Sequence, residues 1–592
     1  MAKQNKQITG TFRDGINTRL KVVSFLLFLF GAALIARLAF LQIIQHDTLV
    51  VQSEKQYLST VKTHFGRGVI YDRNLNELAR NVEVESVYVN PSEILDQKSA
   101  ARILSATLKL NQDQIYKKIS SKKHFVWIKR KCSLDEVAKL KQARLSGVGY
   151  VSEQKRFYPK RELAASVLGF VGMDNQGLAG IEYTYQSKLK GITVRRVMER
   201  DARGRNIQSL EGLHNSRPRS YDLVLTLDEV IQFTTEYHLK KQVERFKADS
   251  GMAVVMNPHT GEIYAMANVP QFNPNHYGAF PSQVWKNNII ASSYEPGSIF
   301  KPIVAAAALD RGLARPQDIF FCENGKLKIG KTQIGEASNH KFGWLTMRDI
   351  IAKSSNIGAI KIAQKVGRKS VYEYIRKFGF GEKSGLSLPG ESAGQLKDQK
   401  NWNALSLASI SFGQEIAVTP LQMVSALAAI ANGGNLMAPH ITRALVKNGK
   451  VMEQFRPEKI RRVISEKTSR QLVEVLKSVV KTGTGKKAAL EGFDVAGKTG
   501  TAQKYNMETR SYSKTEFISS FIGFAPADSP RLVILVMIDN PKGLHWGSVV
   551  AAPVFRQIAK KALRYLNEPS SKERVLFLIE PDANNNFDKV VS

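Results

Sequence analysis

The sequence Tyr294-Glu-Pro-Gly-Ser298-Ile-Phe-Lys301-Pro302 places a serine and a lysine three residues apart, directly after a Pro-Gly pair. Pro-Gly before the serine indicates the start of a helix, and the spacing puts Ser298 and Lys301 on one helical face. A lysine there accepts the serine's proton if burial and neighbouring positive charge lower its pKa. The backbone N–H groups at the same helix start can stabilise a developing oxyanion.

The Ser-x-x-Lys spacing is by itself a weak signal, because the chain repeats it elsewhere. Other such pairs include Ser120/Lys123, Ser187/Lys190, Ser478/Lys481 and Ser511/Lys514. Ser298 is distinguished by two further motifs downstream. These are Lys353-Ser354-Ser355-Asn356 and then Ala496-Gly-Lys498-Thr499-Gly500-Thr501-Ala-Gln503. Three such elements in this order are typical of penicillin-binding proteins and class A β-lactamases.

A nucleotide-phosphate loop is the sharpest alternative, because Gly492-Phe-Asp-Val-Ala-Gly-Lys498-Thr499 fits its pattern. Such a loop follows a strand and opens a helix, whereas Lys486-Lys-Ala-Ala-Leu-Glu precedes it and Gly500-Thr-Ala-Gln-Lys-Tyr-Asn follows it. This context disfavours the P-loop hypothesis. Neither a Gly-x-Ser-x-Gly elbow nor a His-Glu-x-x-His metal helix occurs in the sequence.

The N-terminus predicts a membrane anchor. Residues 22–44 are almost entirely apolar and long enough for a helix across a hydrocarbon layer of ~30 Å. Arg37-Leu-Ala-Phe-Leu-Gln follows the most apolar part instead of a small-residue cleavage site, which favours an uncleaved transmembrane helix over a signal peptide. Basic residues dominate positions 1–21, so we expect this segment in the cytoplasm and the catalytic part outside the cytoplasmic membrane.

A change in composition near residue 220 predicts two exported domains. Residues 45–220 alternate short β-rich runs with basic helical stretches and predict an elongated mixed α/β module. Residues 221–568 predict a catalytic α/β domain in which strands from both ends share one antiparallel sheet. The strand pairs are 252–256 with 263–267 and 517–524 with 532–538. The charged, Asn-rich residues 569–592 predict a flexible tail.

Charge and cysteine content limit the function classes. The 592 residues include 86 Lys and Arg against 52 Asp and Glu, a formal net charge of +34, which favours anionic neighbours. These basic residues are spread along the chain without a nucleic-acid-binding motif, so we expect no nucleic-acid partner. Cys132 and Cys322 are the only cysteines, which excludes a disulfide scaffold and a multi-cysteine metal site. We expect no cofactor and no metal.

The chain resembles the class B penicillin-binding proteins from its membrane anchor to about residue 568. Its first exported module is similar to that family's non-catalytic pedestal, or dimerisation-type, domain. The stretches that carry this likeness are Arg67-Gly-Val-Ile-Tyr-Asp-Arg-Asn74, Arg156-Phe-Tyr-Pro159, Ala164-Ala-Ser-Val-Leu-Gly-Phe-Val-Gly172 and Gly177-Leu-Ala-Gly-Ile-Glu182. The resemblance implies an α/β fold with one N-terminal transmembrane helix, an elongated pedestal and a transpeptidase domain. In that last domain an antiparallel sheet is flanked by helices, as in serine β-lactamases.

The resemblance also implies a reaction, the D,D-transpeptidation that cross-links peptidoglycan stem peptides through an acyl-enzyme on Ser298. It makes Lys301 the base, has Ser354 and Lys498 relay a proton to the leaving amine, and lets Asn356 hold the substrate amide. Substrate binding falls to Ser355, Thr499, Gly500 and Thr501. The backbone amides of Ser298 and Thr501 form the oxyanion hole, and β-lactams acylate the same serine.

A modest pedestal and the lack of an appended wall-binding module make the chain similar to the septal, cell-division branch of the family. The partners that this implies are cell-division proteins and a membrane-embedded glycan polymerase, and we expect residues 1–44 to contact the polymerase. An elongation-type transpeptidase, a D,D-carboxypeptidase and a penicillin sensor stay open as alternatives. Two positions depart from the family's pattern: Leu75 replaces a usual glycine, and Glu415 interrupts the usual Gly-Gln-Gly.

Overall fold

The computed structural model describes residues 5–64, 66–191, 193–200, 206–207, 220–506, 508–509 and 511–569. The chain divides into two compact units. The first comprises residues 1–65 and 192–218, and the second comprises residues 66–191 and 219–592. This division cuts across the predicted 45–220 module, whose boundaries stay a prediction. Apart from residue 569, the predicted flexible tail lies outside the described residues.

The first unit contains the apolar N-terminal helix. Helix Asn5–Ala39 continues into a π-helical turn, Phe40–Ile44, and helix His46–Tyr57 follows. Within the described ranges, Arg19–Ile44 is the one segment long and apolar enough to cross a membrane, and none of it is buried in protein. An apolar helix of membrane-spanning length therefore covers the predicted anchor at 22–44, whose bounds stay a prediction. The unit also has an antiparallel sheet of strands Leu58–His64, Thr193–Arg200 and Asn206–Ile207.

The first part of the second unit is built on two long antiparallel strands, Glu77–Val89 and Val148–Phe157. Strand Val126–Lys129 pairs with the end of the first of them. Three helices pack over this sheet, and their apolar faces enclose a small core that includes Leu104, Ile115 and Leu140. The helices are Gln97–Leu108, Gln112–Ile119 and Leu134–Gln142. This part therefore has mixed α/β structure around a hydrophobic core of its own.

A buried ion cluster lies at the base of this module. The Glu182 carboxyl group accepts hydrogen bonds from Arg67 Nε, from Arg156 Nε at 2.6 Å and from the Tyr158 hydroxyl at 3.2 Å. The side chains of Glu182 and both arginines are at most 1% exposed. Because buried charges must be paired, the cluster ties together three segments that lie far apart in sequence.

Strand Asp222–Leu225 connects this module to the catalytic domain. It pairs in parallel with Ile70–Tyr71 and antiparallel with Thr442–Lys447, which in turn pairs with Lys450–Gln454. The short helices of this region are Ala165–Leu168, Gly180–Thr184 and Gln186–Leu189. Strands from the first and the last third of the chain therefore belong to one mixed sheet.

The catalytic domain is built on a five-stranded antiparallel sheet. Its strands are β1 (Ser250–Met256), β2 (Ile263–Val269), β3 (Ala496–Asn506), β4 (Ser511–Ala525) and β5 (Leu532–Asp539). Their spatial order is β2-β1-β5-β4-β3, so β3 lies at an edge. Val536 of β5 lies opposite Ala253 of β1, which confirms the prediction that strands from both ends of the domain share one sheet.

Both faces of this sheet are buried, which explains why its strands are apolar runs without alternation. Ala253 and Val255 pack against helices Glu229–Arg245 and Ala552–Tyr565 on one face. Val254 and Met256 face a layer of helices on the other. That layer comprises Asn288–Ala291, Lys301–Asp310, Met347–Lys353, Asn356–Val366, Arg368–Lys377, Ala404–Ser411, Pro420–Ala431 and Glu466–Lys481.

Short hairpins and turns complete the catalytic domain. Its two-stranded pairs are Ile319–Phe321 with Trp344–Thr346, Lys326–Ile329 with Thr332–Gly335, and Asn435–Met437 with Lys459–Arg462. A four-residue helix, Gly547–Val550, precedes the last long helix. The observed architecture confirms the predicted fold class, an apolar N-terminal helix followed by a mixed α/β module and an antiparallel sheet flanked by helices.

Candidate active site

Ser298 lies in a 3₁₀ turn, Gly297–Phe300, that leads directly into helix Lys301–Asp310. Gly297 adopts a φ of +57°, and a Cβ atom there would lie 3.1 Å from the Cβ of Ala502 on β3. Only glycine combines this backbone conformation with such a close approach. The Pro-Gly pair before the serine therefore presses the turn against the edge strand, and the helix start lies where the sequence predicts it.

The Lys301 side chain is fully buried. Its Nζ donates to the backbone oxygen of Ser354 at 2.6 Å, to Asn356 Oδ1 at 2.8 Å and to Ser354 Oγ at 3.2 Å. Burial lowers the pKa of Lys301 to about 7, although the negative charge of Glu336 opposes this shift. A substantial fraction of this amine is therefore neutral near neutral pH, as a proton acceptor must be.

Lys498, on β3, also reaches Ser354. Its Nζ donates to Ser354 Oγ at 2.9 Å and to the Thr499 backbone oxygen at 3.0 Å. Burial lowers the pKa of Lys498 well below its usual value, and the positive charge of Lys301 lowers it further. Two lysines thus share one hydroxyl in a site where a double positive charge is unfavourable.

Ser354 owes its central position to an unusual backbone conformation. It ends helix Met347–Lys353 with a φ of +62°, in the left-handed region that is uncommon for residues other than glycine. The next residue already caps helix Asn356–Val366. Such a conformation costs on the order of 1–3 kcal/mol and persists only where surrounding contacts hold it. Here those contacts are the hydrogen bonds from the two lysines.

The β3 edge strand forms one wall of a cleft of about 240 Å³ next to this network. The residues predicted to act that line it are Ser298, Ser354, Thr499, Gly500 and Thr501. A Cβ on Gly500 would meet Ser520 Oγ at 2.3 Å and Ile299 Cγ2 at 2.9 Å, so only glycine lets the strand pass the nucleophile turn this closely. The three sequence elements that define the site are therefore brought together.

Asn356 and Ser355 have different environments. Asn356 is half-buried, with its side-chain oxygen on Lys301 and its Nδ2 donating to the Gly335 backbone oxygen at 3.1 Å. Ser355 is fully buried. Its hydroxyl donates to Glu336 and accepts from the Gly358 backbone N at 2.9 Å. The prediction that Ser355 contacts the substrate does not fit this geometry, because its side chain caps a helix beneath the cleft.

The phosphate-loop hypothesis is excluded by the conformation of its own residues. Lys498 and Thr499 lie within strand β3, which continues to Asn506 and pairs with β4 on both sides of an irregularity between Gln503 and Tyr505. A phosphate loop needs these residues at the start of a helix, where backbone N–H groups converge on an anion.

Two parts of the cleft have no signal in the sequence. Glu336 lines it and comes from the loop after strand Thr332–Gly335. Trp546 and Gly547 also line it, and the Gly547 backbone N donates to Thr501 Oγ1 at 3.0 Å. Neither belongs to a motif of fixed spacing, so sequence reasoning missed them. Only the three-dimensional structure shows that these residues line the same cleft as Ser298.

Comparison with known proteins agrees with this geometry. Residues 251–560 match the penicillin binding protein transpeptidase domain, and residues 62–225 match the penicillin-binding protein dimerisation domain. The chain belongs to the class B penicillin-binding proteins.

Known relatives align with most of the chain. The chain is 34% identical to the stage V sporulation protein D of Bacillus subtilis, over 91% of this chain and 84% of that protein. It is 32% identical to the peptidoglycan D,D-transpeptidase FtsI of Escherichia coli, over 94% and 92%. Among solved structures, penicillin binding protein 3 of Mycobacterium tuberculosis in complex with aztreonam superposes with a TM-score of 0.67 at 29% identity, covering 86% of this chain and 98% of that one.

Proposed function

We propose that this protein is a membrane-anchored peptidoglycan D,D-transpeptidase that cross-links stem peptides through an acyl-enzyme on Ser298. One observation carries the proposal: two fully buried lysines, Lys301 and Lys498, donate to the same Ser354 hydroxyl at 3.2 and 2.9 Å. A structural role explains neither the burial of two amines nor their convergence on a serine in a cleft. An activated nucleophile needs such an environment.

Acylation begins at the penultimate D-alanine of a donor stem peptide. Ser298 Oγ attacks its carbonyl carbon while the hydroxyl proton passes to the neutral amine of Lys301. The carbonyl oxygen becomes an oxyanion, and the backbone N–H groups of Ser298 and Thr501 stabilise it. The nucleophile turn supplies the first of these donors and the edge strand supplies the second.

The tetrahedral intermediate then expels the terminal D-alanine. The proton held by Lys301 moves to the Ser354 oxygen as the proton of Ser354 passes to the leaving nitrogen, and the C–N bond breaks. Lys498 keeps the Ser354 oxygen in place through its own hydrogen bond. In the second half-reaction an amine of a neighbouring stem peptide attacks the ester. Its surplus proton returns through Ser354 and Lys301 to the departing Ser298 oxygen, which leaves a new amide.

Substrate binding falls to the edge strand. Thr501 Oγ1 accepts from the Gly547 backbone N, so its own proton is available to the terminal carboxylate of the donor. Thr499 is oriented by a hydroxyl–hydroxyl contact of 2.7 Å with Thr484. Because β3 is an edge strand, its free backbone groups can pair with an extended peptide while Asn356 holds the substrate amide. β-Lactams enter as analogues of the same acyl donor.

Labelling with a fluorescent penicillin tests the proposal. The native protein should be labelled covalently, and Ser298→Ala should not be labelled at all. Ser120→Ala is the matched control, because Ser120 has the same spacing to a lysine but is exposed in the pedestal. Equal labelling of the Ser298→Ala and native proteins would remove the assignment. Release of D-alanine that needs an acceptor amine would separate a transpeptidase from a carboxypeptidase.

The proposal extends to septal wall synthesis, with residues 1–21 in the cytoplasm and the catalytic domain outside. Similarity to FtsI over 94% of this chain supports it, whereas similarity to a sporulation protein makes a test necessary. A fluorescent fusion should concentrate at the division septum of growing cells. Uniform placement along the side wall would favour the elongation alternative. The membrane-embedded glycan polymerase and the cell-division proteins should co-purify through residues 1–44.

A further inference from the structure

Glu336 lies outside every sequence motif, yet its carboxyl group is only 7% exposed. It accepts hydrogen bonds from the Ser355 hydroxyl, from the Asn356 backbone N at 2.6 Å and from the Ile357 backbone N at 3.3 Å. These N–H groups belong to the first turn of helix Asn356–Val366, where backbone donors have no partner within the helix. The carboxyl group therefore satisfies the first two backbone donors of this helix.

This helix start is connected to Lys301 through one side chain. The Asn356 backbone N donates to the Glu336 carboxyl group, and its side-chain Nδ2 donates to the Gly335 backbone oxygen at 3.1 Å. Its remaining side-chain oxygen accepts from Lys301 Nζ at 2.8 Å. The loop that carries Glu336 thus determines where the Asn356 oxygen lies, and that oxygen is one of the three acceptors that hold the lysine.

An ordinary helix cap is the simpler explanation of a carboxylate in this place. The helix already has one, however, because the Ser355 side chain accepts from the Gly358 backbone N. Glu336 also lines the cleft together with Ser298 and Ser354, where a cap has no need to reach. Its position at the junction of cleft, helix start and lysine network indicates a role in the reaction itself.

We propose that Glu336 is a positioning residue for acyl transfer, one that holds the Ser354–Asn356 turn against Lys301 and provides a negative charge facing that lysine. This inference rests on the proposed function. Glu336 does not touch the reacting atoms. It acts through Asn356 and through its field on the lysine that accepts the Ser298 proton.

The charges around Lys301 and Glu336 determine how the rate of acylation should depend on pH. Lys301 is faced by the positive charge of Lys498 and the negative charge of Glu336. Glu336 is faced by Lys301 and by the buried thiol of Cys322. Burial raises the pKa of that thiol, so the thiol stays uncharged. Glu336 opposes the lowering of the Lys301 pKa. Removing its charge should therefore lower that pKa further and extend acylation to more acidic pH.

The experiment measures the rate of acylation of the full-length, detergent-solubilised protein by a fluorescent penicillin across about pH 5–9. In the profile of rate against pH, Glu336→Gln should reach a plateau about 10- to 100-fold below that of the native protein. The acid limb, where the rate falls as the pH drops, should shift to lower pH. Glu336→Asp keeps the charge, so its acid limb should stay at the native position although the plateau falls. Asp96→Asn is the matched control: Asp96 caps a pedestal helix through two backbone N–H groups, and neither limb nor plateau should move.

The proposal would be overturned if the acid limb of Glu336→Gln lay at the same pH as that of the native protein. It would also be overturned if the acid limb of Glu336→Asp were shifted. If the Gln variant fails to fold, as judged by circular dichroism, the Asp variant decides by the same criterion. Failure of the proposed function looks different, because then the native protein would not be labelled at Ser298 at all.

Discussion

Lys301 is buried in the protein interior, where its positive charge is unfavourable. A lysine on the surface holds its proton until the solution is strongly basic, whereas this one has a pKa of about 7. The desolvation that would destabilise the fold around a charged ammonium group is the same effect that prepares the amine to accept a proton.

The pH dependence of acylation follows from this pKa. Because the neutral amine is the active form and its pKa is lowered to about 7, the acylation rate should fall as the pH drops through about 7 and level off above it. Stopped-flow labelling with a fluorescent penicillin measures the profile. A rate that stays constant well below this pH, with Ser298 still labelled, would mean that another group accepts the proton.

Gly500 allows a second test at the scale of one residue. Gly500→Ala should reduce acylation about 100-fold, because the added methyl group pushes β3 away from the nucleophile turn and misplaces an oxyanion-hole donor. Gly278→Ala is the matched control, since a Cβ at Gly278 meets no atom within 4 Å. Similar acylation rates in the two variants would show that the close approach does not matter for the reaction.

At the scale of elements, the site depends on turns that force unusual backbone conformations. The turn after helix Met347–Lys353 places Ser354 at a φ of +62°. The two departures from the family's glycine pattern follow the same rule, because Leu75 and Glu415 have φ values of +67° and +57°. In both places the fold keeps the left-handed conformation although the residue that favours it is missing.

Replacing Leu75 with glycine should therefore stabilise the protein. Leu75 is 65% exposed, so Leu75→Gly removes little packing and relieves the left-handed strain. We expect the free energy of unfolding to rise by about 0.5–1 kcal/mol. Urea unfolding of the solubilised protein measures it. Leu95→Gly is the control, because Leu95 is 93% exposed without a positive φ and should lose stability instead.

At the scale of the whole molecule, buried charge joins segments that hydrophobic packing alone would not align. The Glu182 cluster links residues 67, 156 and 182, whose sequence neighbours carry the likeness to the family's pedestal. Those motifs therefore have a structural reason of their own, separate from catalysis. The catalytic domain rests on the module that they stabilise, through the sheet that contains strand Asp222–Leu225.

Removing the charge of one residue in the Glu182 cluster should strongly destabilise the fold. Glu182→Gln leaves two buried guanidinium groups without a counter-charge, so unfolding should become easier by about 3–5 kcal/mol. Glu77→Gln breaks the exposed pair with Arg80 and should change stability by less than about 1 kcal/mol. Urea unfolding followed by circular dichroism compares the two. Equal midpoints would mean that the cluster contributes nothing beyond a surface ion pair.

Many structural features of this protein can be predicted from sequence patterns that span only a few residues. The apolar run of the anchor, the two hairpins of the central sheet and the helix start at Ser298 each depend on neighbours within a few residues, so the sequence predicts them. The order of the three catalytic elements is also visible, since it needs no geometry. From these features the sequence predicts an acyl-transfer enzyme with an apolar N-terminal helix before any distance is known.

Packing decided the environment of those residues. Only the tertiary structure shows that Lys301 and Lys498 lose all contact with water, that Ser354 takes a left-handed conformation between them, and that Ser355 turns inward as a cap. It also brings in Glu336, which no pattern connects to Ser298. Burial and charge coupling arise from segments far apart in the chain, and a one-dimensional pattern carries no information on which of them will meet.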